Sequence, residues 1–217
     1  MTDHDAKRIP IGWECLRNAR DLGGRPLLDG GVTQRGIVIR SDTPVRLTAA
    51  GLEQALRHPI HTVVDLREER LAEAQPNPFA DAPDVTYHHL PLLPDDFPLP
   101  VIRGGYREAM DTARPQMDAV LRALLTGRPP ALVHCHSGTG RTGLVAVVLL
   151  ELTGVATEAI VDDFRDSLGP HHSEEWEVPE QLLDHLRGHH RGVDGYLAET
   201  GLTSEELASL ARLLTNR

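Results

Sequence analysis

The sequence predicts a three-layer α/β fold, a twisted and mainly parallel sheet flanked by helices, with a wholly helical C-terminal part. Two observations predict it. Short apolar runs rich in β-branched residues alternate with helical patterns as far as residue 135, which is how parallel strands joined by crossovers read. After Gly154 only helix signals remain. The 217 residues suit a single domain over 1–217, long enough to close a sizeable core.

The elements follow in order. The stretch LLDGGVTQRGIVIRSD at 27–42 has an Asp-Gly turn between apolar runs and predicts a hairpin leading into a strand at 36–40. Thr48 opens a helix in TAAGLEQALRH, with Leu52 and Leu56 one turn apart on one face. HTVVDL at 61–66 is the next strand. Its charged continuation REERLAEAQP reads as a solvated helix face that stops at Pro76. VTYHHL at 85–90 is a further strand. The four prolines and two aspartates of PLLPDDFPLP at 91–100 exclude helix and central strand and predict a rigid loop. A helical pattern at 106–125 is broken or bent at Pro115. ALVH at 131–134 is a short buried strand, and LVAVVLLEL at 144–152 an apolar helix. Thr157 opens the next helix, and Thr203 with Glu206 forms a capping box ahead of LASLARLL.

The formal charge of -10 disfavours nucleic acid and anionic membranes as general partners, since both reward basic patches. The start MTDHDAKRIP has no apolar signal core, and the most apolar stretch, 144–150, is too short to span a bilayer. A soluble, cytoplasmic protein is the expectation. Two cysteines, Cys15 and Cys135, do not make a disulfide framework and leave a chemical role open.

That role is indicated by HCHSGTGRTG at 134–143, a C-x5-R pattern of Cys135, His136, Ser137, Gly138, Thr139, Gly140 and Arg141, followed by Thr142. Where a buried strand feeds a helix, such a loop aims backbone N–H groups and the positive helix end at one point. That is an anion site of phosphate size. Gly138 and Gly140 permit unusual backbone angles and close approach. The same field favours a thiolate at Cys135. Arg141 offers a planar fork for two phosphoryl oxygens, which lysine cannot reproduce. Thr142 is placed to donate its hydroxyl to the sulfur.

These residues resemble the signature loop of the cysteine-dependent protein tyrosine phosphatases. NARDLGG at 18–24, GIVIRSD at 36–42, VVDLREE at 63–69 and GVDGYLAETGLTSEELASL at 192–210 resemble the bacterial tyrosine/serine phosphatase family, so the likeness spans nearly the whole chain. The resemblance implies a phosphatase-type fold and a two-step, metal-free hydrolysis of phosphomonoesters, tyrosine-specific or dual-specific. Cys135 takes the phosphoryl group as phosphocysteine, Arg141 and the loop amides hold its oxygens, and water releases inorganic phosphate. His134 matches as a support. No cofactor is implied, and the partners are phosphorylated proteins or small phosphomonoesters.

One departure concerns the proton donor. Many members of the bacterial family carry Lys-Asp just before the arginine, where this chain has Thr139 and Gly140. An acid for the leaving group must come from elsewhere. Asp95 and Asp96 on the proline-framed loop are the candidates, with Asp96 preferred and Asp65 as the fallback. Arg141 is the loop's sole basic side chain apart from its histidines, which favours phosphotyrosine or a related monoester over a phosphoinositide. A phosphate-binding pseudophosphatase that retains the pocket without turnover is the other alternative.

The remaining features have plainer readings. Twelve histidines invite a metal, but successive positions at His134–His136 do not converge on an ion. The pairs His88–His89, His171–His172 and His189–His190 are adjacent rather than one helical turn apart, so no metal site is expected. In NARDLGG, a tight turn at Gly23 and Gly24 is expected, with Arg20 or Asp21 available to buttress the loop. Cys15 reads as a buried apolar residue, and a redox partnership with Cys135 would need proximity.

Overall fold

The structure, a computed structural model, describes residues 16, 18–57, 60–97, 105–168 and 178–217. Cys15 and the pair His171–His172 lie outside the described residues.

The chain runs β1 (Arg20–Asp21), β2 (Val38–Ser41), a 3-10 turn (Pro44–Arg46), α1 (Ala49–Arg57), β3 (Thr62–Asp65), α2 (Glu69–Ala74) and β4 (Thr86–His89). It continues through α3 (Gly105–Thr112), α4 (Arg114–Thr126), β5 (Ala131–His134), α5 (Gly140–Leu152), α6 (Thr157–Leu168), α7 (Val178–His189), α8 (Val193–Ala198) and α9 (Ser204–Thr215). Five strands form one sheet in the order β1-β2-β5-β3-β4. β2, β5, β3 and β4 are parallel, and β1 pairs antiparallel with β2 at the edge.

The three central strands are buried along their whole length, as parallel strands covered on both faces must be. Their side chains alternate between two cores. Val38, Val64, Ala131 and Val133 face the large cluster built by α3 to α9. Ile39, Val63 and Leu132 face a smaller one with Ala55 of α1, Ile60 and Phe79. This period of two makes the third layer. α5 sits against the centre of the sheet and is buried from Arg141 to Leu150, so its apolar residues show no one-sided stripe. Gly143 lets α6 approach it: a Cβ there would stand 2.6 Å from the Phe164 ring.

The punctuation of the sequence is realised in detail. Pro115 falls in the first turn of α4, where a missing N–H costs nothing. The predicted helix is therefore divided at Ala113 rather than bent. The capping box is present, with Glu206 N donating to Thr203 Oγ1 at 3.2 Å and Thr203 N to Glu206 Oε2 at 2.8 Å. The Asp-Gly hairpin is smaller than expected, reduced to a bridge between Pro26 and Val32. NARDLGG supplies an edge strand as well as a turn. Among the described residues no helix is long and apolar enough to cross a membrane.

β2, β5 and β3 end in register, with His134 opposite both Ser41 and Asp65. The chain leaving the central strand at Cys135 therefore emerges between its neighbours, at the carboxyl edge where parallel sheets bind ligands.

Candidate active site

Cys135 and Arg141 share the wall of one cavity of about 880 Å³. Its polar side is made by His136, Ser137, Thr139 and Gly140 of the loop, with Glu68, Arg70 and Asp95. Its apolar side includes Leu71, Leu93, Phe97, Tyr106 and Leu168. α5 begins at Gly140, so its unpaired first-turn N–H groups and positive end lie at the cavity floor.

The loop is held from beneath. Gly138 has φ +74°, and a Cβ there would stand 2.6 Å from the backbone of Ser41 and Asp42. Only glycine fits. Arg40 donates to the Gly138 carbonyl at 2.7 Å, Asn18 Nδ2 to the Ser137 carbonyl at 3.1 Å, and Thr43 N to the His136 carbonyl at 3.0 Å. Each of these bonds occupies a carbonyl from outside the cavity. Thr139 Oγ1 ties the same loop to the Ser167 carbonyl at 2.9 Å.

His134 lies fully buried behind Cys135. Asn77 Nδ2 donates to Asp65 Oδ2 at 3.1 Å and lies 2.7 Å from His134 Nε2. Burial lowers the imidazole's pKa and holds it neutral, so Nε2 accepts from Asn77 while Nδ1 donates to the Cys135 carbonyl at 3.1 Å. The ring thereby fixes the backbone of the cysteine. Thr142 is buried, and its hydroxyl has no hydrogen-bond partner among the described residues.

Asp65, the fallback acid, is enclosed by its neighbours and does not line the cavity. Its side chain is 0% exposed, forked by Arg67 at 2.6 Å, and also bonded by Tyr87 and Asn77. Burial opposes the charged form, but the hydrogen bonds and charge of Arg67, with the hydrogen bond from Asn77, outweigh it and hold the carboxyl well below its usual range. A carboxylate so placed has no proton to give and no path to the cavity. Asp95, by contrast, stands in the cavity wall, its oxygens accepting from the N–H groups of Glu69 at 2.9 Å and Arg70 at 3.2 Å. Asp96, also exposed, does not line the cavity.

Residues that the sequence left unremarked complete the site. Glu68, read as part of a solvated face, is buried with its carboxylate 2.5 Å from Arg141 Nη1, where it restrains the guanidinium. Behind the loop, Arg20, Arg25 and Arg40 converge on Asp163 at 3.1, 2.8 and 2.5 Å, all four buried. Arg20 also reaches Asn18, so the buttress expected of Arg20 acts through a neighbour. Asp21 serves the turn, accepting from Gly23 N and Gly36 N.

Burial opposes the charge of Asp163, but the three arginines hold its carboxyl well below its usual range. Burial first, and Arg40 second, bring Arg20 down to about 10, still charged at neutral pH. Asp163→Asn removes the carboxylate that three buried cations share and is expected to destabilise the fold by about 3 kcal/mol or more in urea unfolding. A folded pKa lowered this way adds stability that is complete above the ordinary carboxylate value and lost as pH falls towards the folded one. The wild type should therefore lose stability steeply below about pH 4, and the variant less so.

A family profile described as tyrosine phosphatase family matches residues 11–216. A Cupriavidus necator protein named as a candidate tyrosine-protein phosphatase is 27% identical over 178 residues, which cover 74% of this chain. The match spans 63% of the length of that relative. Among solved structures, P. aeruginosa TpbA superposes with a TM-score of 0.48 at 19% identity, covering 76% of this chain and 86% of that one.

Proposed function

The chain belongs to the tyrosine phosphatase family, and on that premise we propose that it is a phosphomonoester hydrolase acting through a phosphocysteine on Cys135, without a metal. The observation that carries this reading is the meeting of Cys135 and Arg141 in one cavity at the N-terminus of α5. In the first step Cys135 Sγ attacks phosphorus, the bond to the leaving oxygen breaks, and that oxygen takes a proton. In the second step water attacks phosphorus, the sulfur–phosphorus bond breaks, and inorganic phosphate leaves. Arg141 and the amides of 136–142 hold the equatorial oxygens in both steps. Thr142 donates to the departing sulfur. The active unit is the chain as one domain over 1–217, a reading supported by the extent of the family match.

The general acid is Asp95. To act, its carboxyl swings from the N–H groups of Glu69 and Arg70 to the leaving oxygen. Asp95→Asn keeps one of the two bonds to the first turn of α2, since an amide has a single accepting oxygen, and removes the proton. It is expected to slow a poorly activated phenyl phosphate by about 10²-fold or more and to leave an ester of an acidic phenol nearly unchanged. Equal slowing of both esters points to another donor.

The apolar cavity wall and the few cations beside Arg141 support an aryl phosphate such as phosphotyrosine, on a protein or a small molecule, over a polyphosphorylated lipid. Comparing kcat/KM on phosphopeptide and phosphoinositide tests that preference. A thiolate nucleophile is best kept in a reducing compartment, which supports a cytoplasmic setting.

A further inference from the structure

Away from the cavity, the end of α7 gathers three histidines around one aspartate of α3. His185 Nε2 and His190 Nε2 both donate to Asp111 Oδ1, at 2.9 and 2.7 Å. His189 stacks on His185 with centroids 5.0 Å apart and meets His190 edge-on at 4.8 Å. One potential ligand atom from each of Asp111, His189 and His190 lies within 4.8 Å of the other two. The His190 side chain is only 4% exposed and rests edge-on against Tyr196. The Tyr196 hydroxyl is in turn fixed on the Met110 carbonyl at 2.8 Å, so this imidazole is held by the framework rather than by solvent. None of these residues lines the cavity. Asp111 follows Ala109 by two and Tyr106 by five, so it leaves α3 about 200° and about 140° round from the two side chains that face the cavity.

We propose that Asp111, His189 and His190 form a binding site for a divalent zinc ion, with water as the remaining ligand. His185, one helical turn before His189, keeps its hydrogen bond to Asp111 and orients that carboxylate, as partners of ligating groups do. The donor set of imidazole nitrogens and one carboxylate, without thiolate, suits zinc over magnesium or calcium. In tetrahedral coordination neighbouring ligand atoms stand about 3.3 Å apart. Entry of the ion therefore opens the His190–Asp111 contact slightly as the metal replaces the shared proton. The ion ties the end of α7 to α3, the helix that also presents Tyr106 and Ala109 to the cavity. Its role is to stabilise that helical layer, and phosphoryl transfer has no step that needs it.

The test is a calorimetric titration of zinc into the full chain carrying Cys135→Ser, which removes the cavity thiol as a competing ligand. The expected result is one ion per chain and a raised thermal midpoint. His189 is exposed, so His189→Ala should fold normally, weaken binding by at least about tenfold and cancel the thermal rise. Cobalt(II) in place of zinc should give a spectrum without a thiolate charge-transfer band. Absent zinc binding, binding unchanged by both His189→Ala and Asp111→Asn, or a cobalt–thiolate band would each overturn the proposal.

Discussion

Cys135→Ser is expected to abolish hydrolysis of aryl phosphates, a loss of roughly 10⁴-fold or more, while phosphate and vanadate still bind. Serine keeps the position, because His134 holds the backbone carbonyl of residue 135 and not the side chain. The loop carbonyls at His136, Ser137 and Gly138 also keep their external partners. What is lost is an ionisable, polarisable nucleophile, and a neutral hydroxyl is a far weaker one. The anion site itself, made of amides, the α5 terminus and Arg141, is untouched. Rapid-quench trapping in the wild type should yield a phosphoenzyme that the variant lacks, and turnover should survive a chelator. Activity retained by the serine variant would remove Cys135 from the mechanism. Anion binding without turnover in the wild type would favour a binding module.

Arg141→Lys is expected to lower kcat/KM by about 10³-fold or more although the charge is kept, in the range seen when an arginine that stabilises a transferring phosphoryl group is removed. Such a loss corresponds to about 4 kcal/mol of transition-state stabilisation. Arginine supplies a planar fork for two oxygens, whereas lysine supplies one point charge. The fork is also braced, since Glu68 stands 2.5 Å from Nη1 and both side chains are largely buried. A lysine ammonium reaching the same place would be drawn to Glu68 instead of the phosphoryl group. The split between constants is diagnostic: kcat should fall far more than KM rises. A near-normal kcat/KM would refute a bidentate role.

The parts of this molecule legible in the sequence are those whose signals are local. The strand-loop-helix unit around HCHSGTGRTG, the alternation of strands and helices, the break at Pro115 and the Thr203–Glu206 cap each depend on residues a few positions apart. The parts not legible depend on distant partners. Glu68 looked like any charge on an exposed helix, because only the folded chain brings Arg141 against it. Arg40 and Asp163 carry no motif. Their pairing spans 123 positions and joins β2 to α6. Asp95 and Asp96 are chemically identical neighbours in sequence, and only the path of the loop separates one that faces the cavity from one that does not. The histidines were hidden differently. His189 and His190 are an adjacent pair, a spacing that argues against two ligands on one helix, and the aspartate beside them lies 79 positions before His190.

The supports of the loop also bear on the order in which the chain completes its site. Asn18 and Arg40 reach Ser137 and Gly138 across 119 and 98 positions, and Arg20, Arg25 and Arg40 meet their counter-ion only at residue 163. Contacts of such long range form late in folding, after the local hairpins and helices. A nascent chain that has emerged only as far as α5 already carries every residue of HCHSGTGRTG, yet its three arginines have no carboxylate to gather them. The half-made protein lacks the buried charge cluster behind the loop until α6 supplies Asp163.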